Sequence, residues 1–166
     1  MIFVTVGTHE QPFDRLISRI DELKGGGVIR EDVFIQTGFS TYEPRHCRWS
    51  KLIPYSDMVK NMEQARLIIT HGGPASFLMS LQLGKIPVVV PRQSRYGEHI
   101  NDHQIDFCRE VAIRHGNIIL VEDVDTLADI LTTYDTFAAK RTAGCKSNNA
   151  AFNERLTQIV GSLCKI

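Results

Sequence analysis

The chemistry of this 166-residue chain is concentrated in His71-Gly72-Gly73 with Ser76 close behind, and in a polar run from Arg92 to Gln104 that carries Glu98, His99, Asn101, Asp102 and His103. Residues 67–70 are a short β-branched apolar run of the kind that forms a buried strand. The two glycines break it, and Pro74 suits the first position of a helix. Glycines let a ligand approach the backbone closely. The first N–H groups of a helix have no partner within it and lie at the positive end of its dipole. Together these features form an anion site of the sort that holds phosphate or diphosphate. Ser76 adds a hydroxyl donor in the first turn. A glycine pair alone more often only joins a strand to a helix, but His71 before it and the polar run after it favour a binding role.

The elements that position these residues follow from periodicity. Residues 2–6 form a β-branched first strand, Gly7-Thr8 a turn, and Phe13, Leu16, Ile17 and Ile20 imply a helix over residues 11–23. Three glycines end that helix, and residues 33–37 form a second strand closed by Gly38. Residues 39–50 read as a surface loop and 51–54 as a short third strand, after which Ser56 caps a helix over 57–64. Residues 67–70 and 86–90 are strands four and five. A helix with Ile105, Phe107, Cys108 and Val111 leads to strand six at 118–121, and helices over 124–131 and 149–163 finish the chain. Six strands alternating with helices predict one α/β domain over residues 1–166, Rossmann-like, with a doubly wound, mostly parallel sheet. Ligands bind such sheets beyond the carboxyl ends of the strands. Gly7-Thr8-His9, Thr37-Gly38, Pro54-Tyr55, His71-Gly72-Gly73 and residues 92–104 all follow strand ends, so they line one edge.

Several functions are poorly supported. No G-x-G-x-x-G follows the first strand and no G-x-x-x-x-G-K-[ST] occurs, so nicotinamide and ATP chemistry lack their signatures. Lys plus Arg and Asp plus Glu number 19 each, and this zero net charge argues for neither nucleic acid nor an anionic membrane surface. The four cysteines, Cys47, Cys108, Cys145 and Cys164, lack metal-ligand spacing and read as reduced thiols of a cytoplasmic protein. The apolar start has no basic leader and reads as a strand rather than a signal peptide. No run approaches the roughly 18 apolar residues needed to span a bilayer.

Thr70-His71-Gly72-Gly73-Pro74-Ala75-Ser76, then residues 83–92, then Asn101-Asp102-His103-Gln104, together resemble the donor-binding carboxyl-terminal half of GT-B glycosyltransferases of family 28. The opening residues 2–11 are similar to small bacterial exopolysaccharide and capsule transferases made of this half alone. They also resemble the catalytic subunit of the split N-acetylglucosamine transferase of dolichol-linked oligosaccharide synthesis. The resemblance implies a UDP-sugar as donor substrate, no other cofactor and no metal. It further implies transfer of a hexosyl residue to a lipid-linked acceptor, with a membrane-attached partner subunit supplying the acceptor-side half and holding the pair at the inner face of the membrane. By position, Gly72, Gly73 and Ser76 would lie against the diphosphate, with Gly7 and Thr8 on the same edge. His103 and Gln104, with Asn101 and Asp102 beside them, would meet the sugar hydroxyls, and Ile53 to Tyr55 would border the uracil. One position departs: Met79 stands where many members have a carboxylate for the ribose, leaving Glu98 or Asp102 to compensate.

Individual residues leave alternatives open. His71 can donate to a phosphate or cap a strand end. Arg92 can neutralise a leaving diphosphate or be a surface arginine. His9 or Glu10 can be the general base for the acceptor hydroxyl, unless the base lies in the partner. The stripe Phe152, Leu156, Ile159, Val160 and Leu163 reads as core, or else as a face that docks the partner. A non-catalytic nucleotide-sugar-binding subunit that activates another transferase is the alternative function, and self-association into a homodimer an alternative way of covering the cleft.

Overall fold

A computed structural model describes residues 1–141 and 149–163 of the chain. Its centre is a six-stranded, all-parallel sheet in the order β3-β2-β1-β4-β5-β6, formed by β1 (Ile2–Thr5), β2 (Val33–Gln36), β3 (Arg48–Ser50), β4 (Leu67–His71), β5 (Val88–Val90) and β6 (Ile119–Leu120). The helices are α1 (Asp14–Gly25), α2 (Tyr55–Gln64), α3 (Pro74–Gln82), α4 (His103–His115), α5 (Leu127–Ala139) and α6 (Asn149–Leu163). Alternate residues of β1 enter different clusters: Ile2 and Val4 pack with Leu16, Ile17 and Ile20 of α1, and Phe3 with Met62 of α2. Apolar layers on both faces explain why the inner strands read as unbroken apolar runs. The chain order reverses between β1 and β4, which opens a crevice at their carboxyl ends.

The six-strand parallel sheet agrees with the sequence expectation, and the differences are local. The third strand is Arg48–Ser50, not 51–54. It pairs with Phe34 to Gln36, and the ladder ends where Gly38 N–H donates to the Lys51 carbonyl, so Leu52 to Pro54 peel away towards the crevice. The first helix starts at Asp14 rather than residue 11, since Pro12 has no N–H and the Phe13 N–H donates to Ser40 Oγ. α2 begins at Tyr55 with Pro54 before it, which places Ser56 inside the first turn and not at the cap. α5 runs to Ala139, beyond the expected 131.

The loop after β2 is held firmly although it reads as surface. Asp21 of α1 is buried and accepts from the N–H groups of Arg45, His46 and Cys47 and from the Tyr42 hydroxyl. Burial alone would raise its pKa, yet these donors hold it below the usual carboxylate value. The α6 stripe is not core. Phe152 is 60% exposed and Leu156, Ile159 and Val160 are exposed too, because no other described element packs over them, while the Leu163 side chain lies outside the described residues. Cys47 and Cys108 are buried free thiols, pushed up to about 12 by burial, and Cys145 and Cys164 lie outside the described residues.

Candidate functional site

At the switch between β1 and β4 lies a cavity of about 350 Å³. Gly7 and Thr8 after β1 form one side of it, His71 at the end of β4 and Ser76 and Met79 of α3 another, and Gln36, Ile53 and Tyr55 the remainder. α3 starts directly at the glycine pair, with Gly73 as its cap and Pro74 at its first position. Pro74 has no N–H, and the Ser76 N–H turns back to the Gly73 carbonyl at 3.2 Å. Among the described residues the Gly73 and Ala75 N–H groups have no protein acceptor, so they remain for a ligand.

The His71 imidazole is wedged between two glycines. A Cβ at Gly7 would lie 2.6 Å from its Cε1, and one at Gly73 would come closer still to Nε2, so any side chain at either position displaces the ring. Gly7 also has φ +75°, a conformation that disfavours every other residue. The ring is largely buried and its Nδ1 is sealed from solvent without a partner. Burial first, then the charge of Arg92, then His9 bring its pKa down to about 4, against an opposing contribution from the Thr5 main chain. His71 is therefore neutral at pH 7.

This shift has a testable sign. The folded pKa lies below the ordinary 6.5, so the unfolded chain binds more protons between the two values. Stability contributed by a neutral His71 is complete above about pH 6.5 and is lost as pH falls towards 4, to an upper limit of roughly 3 kcal/mol. Urea unfolding at pH 7 and pH 4.5 should show this loss in the wild type and a smaller one in His71→Gln. Equal losses would separate the acid sensitivity from this residue.

Gln36 lines the crevice at a position that residue patterns did not single out. Its amide clamps the turn before the crevice: Oε1 accepts from Thr5 Oγ1 at 2.7 Å and from the Gly7 N–H at 3.2 Å, while Nε2 donates to the carbonyls of Gly7 and Lys51. The available signal was a glutamine at the end of an otherwise apolar strand.

Two expected ligand contacts are structural instead. Arg92 is 1% exposed, and its guanidinium donates to the carbonyls of Val6, Gln11, Pro12 and Glu98 while lying 4.8 Å over the Phe13 ring. It is neither a surface arginine nor free to meet a diphosphate directly. Burial lowers it to about 10, against the nearby Glu98 charge, so it stays charged and adds positive potential beneath the site. Glu98 is 2% exposed, and its carboxylate pairs with both Arg15 Nε at 2.8 Å and Arg15 Nη2 at 2.9 Å and accepts from the Gln93 N–H. No ribose can reach it. Arg15, Arg92 and Glu98 instead tie the loop after β5 to the loop after β1.

The remaining residues sit on the same edge. Gln104 in the first turn of α4 lies over Gly72, and its Oε1 accepts from the Arg92 N–H at 3.1 Å, which leaves its amide N–H groups available. Asp102, exposed at the start of α4, already accepts from Ser94 N and Oγ, and those bonds lower its pKa. Asn101 Oδ1 accepts from the His103 N–H, and the His103 side chain is exposed. Tyr55 is 73% exposed at the rim, Glu10 is exposed, and His9 meets His99. Among the described residues no three His, Cys, Asp or Glu side chains gather as a metal site would require. A second concavity of about 430 Å³, lined by Gly38 to Glu43, Trp49, Lys51 and Leu52, opens beside the edge strand. It lacks a helix N-terminus and a buried imidazole, so the ligand site is assigned to the switch crevice.

The model of the glycosyltransferase family 28 carboxyl-terminal domain matches residues 1–157. The chain belongs to this family. It is 30% identical over 118 residues to the UDP-N-acetylglucosamine transferase subunit ALG13 of Mus musculus, a match over 66% of this chain and 10% of that protein. It is 32% identical over 74 residues to the subunit of the same name from Yarrowia lipolytica, covering 45% of this chain and 35% of that one. The chain therefore spans about a tenth and about a third of these two relatives. The solved glycosyltransferase SnogD from Streptomyces nogalater shares the fold, with a TM-score of 0.51 and 21% identity over 73% of this chain and 31% of its own. The parallel sheet and its flanking helices thus share the fold of that glycosyltransferase.

Proposed function

We propose that this chain is the catalytic, donor-binding subunit of a UDP-sugar-dependent glycosyltransferase that moves a hexosyl residue to a lipid-linked acceptor in exopolysaccharide or capsule biosynthesis. The observation that carries the reading is the convergence of unpartnered N–H groups at the α3 N-terminus with the neutral His71 ring, whose Nδ1 has no protein partner, in one crevice of a family 28 chain. The dipole and those donors suit a diphosphate, and they serve it without a metal. Ile53 and Tyr55 offer an apolar border for a base, and Met79 occupies the wall where a ribose would lie, with no carboxylate beside it among the described lining residues. Gln104 and its neighbours lie on the far side of the glycines, on the course a donor sugar would take.

The reading needs a second wall. The described residues build a donor-side crevice, whereas transfer requires a positioned acceptor and exclusion of water from the reacting diphosphate. No helix among the described residues is long and apolar enough to cross a membrane. A membrane-attached partner subunit would supply both the acceptor side and the attachment at the inner face of the membrane. The relatives' name, a subunit, agrees with such a partnership. Co-expression with that partner should raise transfer to a lipid-linked acceptor by at least tenfold over the purified chain. Full turnover by the chain alone would defeat the split-enzyme reading, and a homodimer covering the cleft would then be the first alternative to examine.

Gln104→Ala separates sugar from nucleotide within this reading. It removes the free amide donor together with the acceptor for the Arg92 N–H, and adds no charge beside the diphosphate. UDP affinity should change less than about threefold, with UDP-sugar binding and transfer falling about tenfold. Equal losses for UDP and UDP-sugar would place Gln104 on the nucleotide.

A further inference from the structure

His9 and His99 belong to different loops, after β1 and after β5, and their rings meet with centroids 4.9 Å apart at an angle of 41°. Both rings are held in the same way. The Gln11 N–H donates to His9 Nδ1 at 3.2 Å, and the Asn101 N–H donates to His99 Nδ1 at 3.4 Å, each closing a turn of two residues. A ring nitrogen that accepts from a main-chain N–H carries no proton, so in the neutral imidazole the proton is on Nε2. Nδ1 faces its own turn, so Nε2, on the opposite side of the ring, points away from the backbone. Among the described residues neither Nε2 has a protein partner, and neither is a sealed, unpartnered atom. Two outward N–H donors thus stand together beside Thr8, which lines the crevice.

The surroundings favour an anion as their ligand. His9 is close enough to His71 and to the charged Arg92 for each to act on its neighbour, and Glu10 provides the opposing charge. Burial first, then Arg92 and His99, lower the His9 pKa, so the neutral donor form prevails at neutral pH. Resting on the nucleotide-sugar reading above, we infer that His9 and His99 are a pair of N–H donors to the β-phosphate of the UDP leaving group, and that His9 is not the general base. Proton uptake at Nε2 is closed because that atom already holds a proton, and uptake at Nδ1 would break the turn to Gln11. The base for the acceptor hydroxyl then lies in Glu10 or in the partner subunit.

The test uses the full chain, with UDP and UMP as probes, by calorimetry and by 15N spectra of labelled imidazoles. Both rings should show the Nε2–H tautomer without ligand, and their Nε2 signals should move with UDP and not with UMP. His9→Phe, which keeps the ring contact with His99 but has no donor, should weaken UDP binding about tenfold and leave UMP binding unchanged. His9→Gln restores a donor without a base, so it should bind UDP within about threefold of the wild type, and with the partner present it should retain transfer. An Nδ1–H tautomer, wild-type UDP affinity in His9→Phe, equal losses for UDP and UMP, or an inactive His9→Gln that still binds UDP would each overturn the inference. Failure of the wild-type chain to bind UDP at all would instead defeat the nucleotide-sugar reading, and this inference with it.

Discussion

Valine in place of Gly73 should remove UDP binding, with a loss of roughly a hundredfold or more, equivalent to about 3 kcal/mol. The reason is a chain of contacts rather than one clash. The new Cβ would fall on His71 Nε2, and the ring cannot retreat because Gly7 closes its other side. Ring and helix cap must both shift, which removes the imidazole and the Gly73 N–H from the diphosphate site together. Gly73 has φ −73° and ψ 126°, values that valine tolerates, so the backbone itself is not strained. The fold should therefore survive, with an overpacking cost of about 1–3 kcal/mol. Calorimetry with UDP on a variant that still gives a cooperative urea transition checks this. Undiminished affinity in that folded variant would remove the glycine turn from the site.

Arg92→Met should be the most destabilising single change near the crevice, by about 3–5 kcal/mol. Methionine fills much of the same volume over Phe13 but leaves the carbonyls of Val6, Gln11, Pro12 and Glu98 without their donor in a buried place. Arg92→Lys should recover only part of the loss, since a single ammonium cannot span acceptors on both loops. Urea unfolding measures the effect, and a loss below about 1 kcal/mol would show that water or the neighbouring Arg15 takes over those carbonyls. Partial stability with sharply reduced UDP affinity would agree with the role assigned here, in which Arg92 holds the loops and does not itself touch the ligand.

The contrast between Arg92 and His71 shows what residue types can and cannot convey. The strands β1, β4 and β5 are legible because both faces of the sheet are apolar, so β-branched residues run unbroken, and the glycine turn is legible because strand, Gly-Gly and Pro have local conformational meaning. β3 is hidden because Arg48-Trp49-Ser50 is an edge strand with one paired neighbour, specified by β2 and not by its own pattern. An arginine and a glutamate after a strand have the same appearance whether they serve a ligand or each other. What decides is Arg15, 83 residues from Glu98 along the chain, together with carbonyls presented by the loop after β1. The α6 stripe illustrates the same gap, because periodicity marks a face that avoids water without naming what covers it. Gln36 escaped because a clamp on one peptide plane leaves no motif.

We propose above that the crevice between β1 and β4 holds the diphosphate of a nucleotide sugar. The most direct test is titration of the 15N-labelled chain with UDP while the amide signals are followed. Saturable shifts are expected at Gly7, Thr8, Gly72, Gly73, Ala75 and Ser76, with Tyr55 responding at the rim and the loop of residues 38–43 unmoved. Shifts confined to the concavity beside the edge strand, or no saturable shift at all, would contradict it.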